Sequence, residues 1–331
     1  MRIALDAMGT DGAPATEITG VATALSELGP DVRILLVGEQ GAIEDELARH
    51  PEIPADRVEV VHAPDVIAAG ESPAQAVRRK PESSIVRGVR LQQEGKADAF
   101  VSAGSTGAVM AASLVLLRAL SGVDRPPVGT LLPTSGSPAL LVDSGANVDS
   151  RPEHLVQFAR LGNIYAQNLM GLDRPRVGLL NIGEEAGKGN DLAQRTYPLL
   201  AESGLNFVGN VEGRDIIRSR ADVVVCDGFV GNALLKFYES VAAFIIGLLK
   251  KELREQESGL DLERVLQVLD YAEYGGAPLL GVNGVTVICH GQSPPKAIRN
   301  ALGVASQAVR SSMVERIAQE LSGEQIKGEK P

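Results

Sequence analysis

The chain has 331 residues, of which 44% are hydrophobic, enough to bury a sizeable core in one large or two medium lobes. A net charge of −10 and 3% aromatic content with no tryptophan exclude a general nucleic-acid binder, which needs a basic face and rings for stacking. An anionic ligand must therefore be met by a local cluster of donors or cations.

Along the chain, short Val/Ile/Leu-rich runs alternate with helix-period segments, the pattern of parallel strands covered on both faces by crossover helices. The opening MRIALDAMG reads as a first strand and not as a signal peptide, because no cationic lead precedes a long apolar core. Ten strands are predicted: Arg2–Asp6, Val32–Val37, Arg57–His62, Ala97–Ser102, Val128–Leu132, Ala139–Asp143, Arg176–Asn181, Asn206–Asn210, Asp222–Cys226 and Val285–His290. Ten are many for a simple open sheet, so two lobes sharing a sheet or a cleft are expected.

Between the third and fourth strands, RRKPESSIVRGVR at Arg78 to Arg90 holds five cations and one acid in an otherwise acidic protein. A helix is expected to start near Pro81, with Ser83 and Ser84 in its first turn and Arg87 and Arg90 on one side. It reads either as a basic docking face or as an ordinary solvated surface.

The stretch Ala97 to Leu117, ADAFVSAGSTGAVMAASLVLL, runs a buried strand through a Gly/Ser/Thr turn into an apolar helix. The first N–H groups of a helix lack intrahelical partners and sit at the positive end of its dipole, so such a turn suits an anion, phosphate above all. Gly104 and Gly107 would admit the ligand to the backbone, and Ser102, Ser105 and Thr106 would add hydroxyls. Ordinary helix capping fits the same residues. The SAGSTG turn interrupts the uncharged run from Ala99 to Leu117, so no spanning helix is read there.

Polar residues gather after most strands: Asp6 and Asp11, Asp143 to Asn147, Asn181 to Asn190, Glu212 to Asp215, Asp227 to Asn232, and His290 to Ser293. Ligands bind at the C-terminal edge of open α/β sheets, so these loops point to one assembled cleft, although each alone is also good turn chemistry. NIGEEAGKGN at Asn181 to Asn190 has the flavour of a P-loop but lacks one residue between its glycines and the hydroxyl after Lys188. Lys188 can still offer an ammonium to phosphate, while Glu184 and Glu185 could hold that Lys, bind a metal or be solvated. No G-x-G-x-x-G occurs, so dinucleotide binding lacks support.

Cys226 and Cys289 at strand ends read as buried structural thiols and point to a reducing, cytoplasmic setting. Adjacent strand residues face opposite ways, so Cys289 and His290 do not form a dyad. No His/Cys/Asp spacing matches a zinc site. From Phe237 to Leu269 two helices are expected around a turn at Ser258 and Gly259. The first is apolar on every side from Ser240 to Leu249, too short to span a bilayer, and needs a core, a dimer interface or lipid.

Side by side, these loops resemble the phosphate acyltransferases of bacterial phospholipid synthesis, the PlsX family. The matching stretches are IALDAMGTD, DAFVSAGSTGA, LVDSGAN, GLLNIGEEAGKGN, GNVEGRDI, DVVVCDGFVGN and YGGAPLLGVNG, seven in order from Ile3 to Gly284. Two departures stand out: Thr10 where the family usually has Gly, and Ser105 where it usually has Asn, a side chain of longer reach.

The resemblance implies acyl transfer from acyl-[acyl carrier protein] to inorganic phosphate, giving acyl phosphate. It implies a homodimer and a three-layer α/β/α sandwich with a large, mostly parallel mixed sheet and two lobes around a cleft, like the isocitrate and isopropylmalate dehydrogenases. The expected lobes are residues 1–125 with 292–331, and 126–291 including a protruding helical hairpin at about 237–270. No redox cofactor is needed, since phosphorolysis requires only held phosphate and donors for the developing oxyanion.

The roles assigned on this chemistry place Asp6, Ser102, Gly104, Ser105, Thr106, Gly107 and Asn147 at substrate or its loops. Lys188 and Arg214 neutralise phosphate, Asn181, Asn190 and Asn232 donate to the oxyanion, and His290 protonates the thiolate or orients phosphate. The labile, lipid-soluble product implies peripheral contact with the membrane, through Leu262, Leu266 and Leu269 of the second hairpin helix, and delivery to a membrane glycerol-3-phosphate acyltransferase. A non-catalytic scaffold of lipid synthesis and a dehydrogenase of the same fold remain as other readings.

Overall fold

The computed structural model describes residues 1–253 and 275–328. The chain forms two compact units: Met1–Pro126 with Asn168–Met170 and Gly275–Pro331, and Pro127–Gln167 with Gly171–Tyr274.

The first unit opens with β1 (Arg2–Asp6), α1 (Ala15–Glu27), β2 (Arg33–Gly38), α2 (Gln40–Leu47) and β3 (Val58–His62), then α3 (Pro73–Arg79), α4 (Ser84–Gln93), β4 (Ala99–Ser102) and α5 (Thr106–Leu116). The second unit carries β5 (Gly129–Leu132), β6 (Ala139–Val142), α6 (Pro152–Leu169), β7 (Val177–Leu180) and α7 (Asp191–Ala201), followed by β8 (Phe207–Val211), α8 (Gly213–Ile217), β9 (Val223–Val225) and α9 (Gly228–Leu253). The chain then returns to the first unit with β10 (Ala277–Pro278), β11 (Val285–Ile288), α10 (Pro295–Arg310) and α11 (Met313–Gly328).

All ten predicted strands form, each within two residues of its expected ends; the short β10 is additional. The strands divide between two sheets and are not gathered into one large sheet. Six order as β10-β11-β4-β1-β2-β3 and five as β5-β6-β9-β7-β8. Each is parallel except at one edge, where β10 and β5 run antiparallel to their neighbours. Pro278 lies on such an edge strand, where its missing N–H costs no central ladder bond. β11 pairs in parallel with β4, Val285 opposite Ala99, so the chain rejoins the first unit at Gly275 and not at 292 as expected.

Strands β4, β6, β9 and β11 are buried at every residue, as cover on both faces requires, and for that reason they are apolar except at Ser102 and Thr286. In the first unit α4 packs over β1, β2 and β4, while α10 packs against β11 and β4 and beside α1. In the second unit Leu132, Leu141, Val211, Ile216, Val224 and Leu235 form the core between sheet and helices.

Helix α9 begins at Gly228, well before the expected apolar segment. The expectation of a helix too short to span is corrected by this earlier start: the 22 residues Gly228–Leu249 are long and apolar enough to cross a membrane by length and composition alone, and only 11% of the most apolar window is buried in the protein. The turn at Ser258 and Gly259 and the second hairpin helix with Leu262, Val265, Leu266 and Leu269 lie outside the described residues.

Candidate active site

In the first unit three loops follow the C-terminal ends of three neighbouring parallel strands, β11, β4 and β1. The strand order thereby brings together residues 7–14, 103–105 and 289–294. The loops are tied by backbone: Asp11 N donates to Gly291 O at 2.8 Å. A Cβ at Gly9 would come within 2.8 Å of Gly104 N and 2.9 Å of Ala103 N, so only glycine allows this approach.

The turn before α5 keeps its donors. The N–H groups of Thr106, Gly107 and Ala108 have no hydrogen-bond partner among the described residues; the first intrahelical bond runs from Val109 N to Ser105 O at 3.0 Å. Ser105 is the N-cap residue, yet its hydroxyl makes no capping bond. The exposed Thr106 hydroxyl is likewise without a partner among the described residues. This leaves a helix terminus with three N–H groups and two hydroxyls open to an anion.

The other members of the turn brace it. Ser102 is fully buried and donates to Asp6 Oδ2 at 2.7 Å, while its oxygen accepts from Gly104 N at 3.0 Å. Asp6 also accepts from Met8 N, and burial pushes its carboxyl above the usual range against these bonds. At Gly107 a Cβ would lie 2.6 Å from Pro73 Cγ, so this glycine serves the packing of α3 on α5 and not ligand entry. His290 is half-buried at the end of β11, its N–H bonded to Ser293 Oγ at 3.1 Å.

The second unit carries its own group of loops at the corresponding edge of its sheet. Asp143, fully buried after β6, accepts from the backbone of Val128, Gly145, Ala146 and Asn147 and from Asn147 Nδ2 at 3.0 Å. Asn147 is thus a brace. So is Asn181, which donates to Lys188 O at 3.0 Å and accepts from Ile182 N at 2.8 Å. Asn190 caps α7 by accepting from Ala193 N at 2.9 Å. Of the three asparagines expected to donate to an oxyanion, only the exposed Asn232 has a side chain without a partner among the described residues.

Lys188 is exposed and its ammonium has no ion pair among the described residues. Glu184 does not hold it, pairing instead with Arg220 at 2.7 Å. The neighbouring Gly189 has φ +96°, a left-handed turn that favours glycine and leads into the α7 cap. Arg214 is less available, since its Nε lies 2.7 Å from Glu212 Oε2. Beside these loops opens a cavity of about 430 Å³, lined by Leu155, Leu179, Asn181, Asn190, Asp227 and Val230 among others.

Neither thiol is fit to be a nucleophile. Burial pushes Cys226 well above its ordinary value and Cys289 to about 12. Among the described residues no group of three His, Cys, Asp or Glu is arranged to hold a metal.

Two residues of the site region escaped the sequence. Asn210 in β8 donates to Glu185 O at 2.8 Å and so holds the Lys188 loop; a polar residue inside an apolar strand was the available signal. Glu17 in α1 takes both donors of Thr10, and no local motif announces it.

A family model described as fatty acid synthesis protein matches residues 1–316. The phosphate acyltransferase of Desulforamulus reducens is 51% identical over 331 residues, covering 98% of each chain. That of Heliobacterium modesticaldum is also 51% identical over the same length and coverage. In fold, the EutD phosphotransacetylase of Staphylococcus aureus is similar with a TM-score of 0.61 at 16% identity, covering 93% of this chain and 94% of its own. The relatives at 51% identity across nearly the whole chain make it an acyltransferase, and the solved neighbour adds the α/β fold. The chain belongs to the phosphate acyltransferase family, whose model spans it from Met1 almost to its end.

Proposed function

We propose that this enzyme moves a fatty acyl group from the thioester of acyl-[acyl carrier protein] to inorganic phosphate. The observation that carries the proposal is the α5 terminus, with the N–H groups of Thr106, Gly107 and Ala108 and the hydroxyls of Ser105 and Thr106 unpartnered among the described residues. A phosphate oxygen attacks the thioester carbon, the C–O bond forms and the C–S bond breaks. The thiolate leaves as the free thiol after taking a proton, for which His290 is the nearby titratable group at the end of β11.

The roles follow from what each side chain is free to do. Ser105, Thr106 and the α5 backbone hold phosphate, with Gly104, Ser102 and Asp6 shaping the turn. Lys188 neutralises phosphate charge; Arg214, whose Nε is held by Glu212, has that carboxylate offsetting part of its charge and contributes less. Asn232 donates to the oxyanion, while Asn147, Asn181 and Asn190 set loop shape. The mostly apolar cavity beside Asn181 suits the alkyl arm of a thioester.

The partners are proposed on the same footing. Phe237, Val241, Phe244 and Leu248 are exposed on α9 at spacings of four, three and four, the pattern of a helix seam that pairs with another helix. This supports a homodimer. A cytoplasmic enzyme touching the membrane peripherally can hand its labile product to a membrane glycerol-3-phosphate acyltransferase.

Incubation of the purified protein with acyl-[acyl carrier protein] and phosphate, without nicotinamide, should yield acyl phosphate only when phosphate is present. Free fatty acid as the primary product would make it a thioesterase.

A further inference from the structure

Glu17 is a charged side chain with no exposure at all, on the first turn of α1. Both of its oxygens go to one residue of the preceding loop: Thr10 N donates to Oε1 at 2.7 Å and Thr10 Oγ1 donates to Oε2 at 3.0 Å. A carboxylate is expensive to bury, and here its hydrogen bonds to Thr10 satisfy a loop and not the core. That loop is the central tie of the three-loop edge. Gly9, on one side of Thr10, lies against the Ala103 and Gly104 backbone, and Asp11, on the other, donates to Gly291 O. Thr10 itself is nearly buried, with no bond of its own to either neighbouring loop among the described residues. Its position is therefore set from behind, by Glu17.

We infer that Glu17 is a positioning residue for phosphate use, clamping Thr10 and through it pressing the β1–α1 loop against the turn that opens α5. The inference rests on the reading of that turn as the phosphate site. Glu17 does not touch phosphate, and its effect travels through the backbone of Gly9 and Asp11. Loosening the clamp lets the loop shift away from Ala103 and Gly104, and the α5 donors lose their fixed direction. The acyl donor, a thioester on a long carrier arm, depends less on the aim of these few N–H groups.

Steady-state kinetics on the full chain, varying phosphate and acyl-[acyl carrier protein] separately, test this. Glu17→Gln keeps the size but turns one acceptor into a donor facing the Thr10 donors. Assayed at about pH 8, it is expected to raise the KM for phosphate by about tenfold, as loss of a charge-assisted hydrogen bond does, with the KM for the acyl donor changed less than about twofold. Thr10→Val removes only the hydroxyl and should raise the phosphate KM less, in the same direction, while Thr10→Ser restores it. An unchanged phosphate KM in folded Glu17→Gln overturns the inference, as does an equal loss on both substrates accompanying a fall in Tm, which marks a merely structural role. If Glu17→Gln does not fold, Thr10→Val decides alone, and an unchanged phosphate KM there is again fatal. A wild-type protein with no phosphate-dependent transfer overturns the functional reading and this inference with it; phosphate-dependent wild type with insensitive variants overturns the inference only.

Discussion

Ser102 and Asp6 stand at the C-terminal ends of adjacent parallel strands, and the Ser102 hydroxyl donates to Asp6 Oδ2 at 2.7 Å in a fully buried contact. The same hydroxyl oxygen receives Gly104 N, so one buried pair fixes the path of the turn that opens α5. Ser102→Ala removes the donor to Asp6 and the acceptor for Gly104 together. A loss of about 1–3 kcal/mol in stability and a fall in phosphate-dependent rate are expected, read by urea unfolding and by turnover. Wild-type stability in this variant would show that the turn does not depend on the pair.

Lys188 has an exposed ammonium with no ion pair among the described residues, whereas Arg214 is held by Glu212. Lys188→Ala should therefore raise the phosphate requirement by the equivalent of about 1.5–3 kcal/mol with little change in Tm. Arg214→Ala should do less. Phosphate titrations of both variants decide the order, and an unaltered phosphate dependence in Lys188→Ala removes it from phosphate binding.

The basic stretch is not uniformly available. Glu82 lies 2.6 Å from Arg87 and 3.3 Å from Arg90, and Glu71 lies 2.7 Å from Lys80. Arg78 and Arg79 in the last turn of α3 are exposed and have no ion pair among the described residues. The docking face expected over Arg78 to Arg90 narrows to these two. Reversing both to Glu should slow association with an acidic acyl carrier protein, most at low salt, and leave transfer from a small acyl thioester nearly unchanged. Equal damage to both donors would place the pair in folding or phosphate binding.

Burial raises the Glu17 carboxyl from 4.5 to about 7, with the negative charge of Asp6 adding to the effect. The folded protein thus holds this proton more tightly than the unfolded chain. The associated stability is fully present below pH 4.5 and is lost as pH rises through 7. Relative to Glu17→Gln, the wild-type protein should lose on the order of 2–3 kcal/mol between pH 5 and pH 8 in urea unfolding. A difference between the two proteins that stays constant over this range means that Glu17 does not titrate there.

The sequence by itself determined the strands, the parallel class and the family, because those rest on local pattern. Short apolar runs such as AFVS and VVV, bounded by polar and Gly residues, read as central strands from their own pattern, and both are buried throughout. Only the tertiary structure decided how ten predicted strands partition into two sheets, since hydrogen bonding between Val285–Ile288 and Ala99–Ser102 joins residues nearly two hundred positions apart. The same holds within the site. Asn147, Asn181 and Asn190 have the composition of oxyanion donors, but an amide is equally suited to a backbone group nearby, and the fold supplied Asp143, Lys188 O and Ala193 N as closer partners. Gly107 looked like room for a ligand and is room for Pro73. Glu17 looked like one more polar residue of an amphipathic helix, and became a buried clamp because the β1–α1 loop folds back over the helix that follows it.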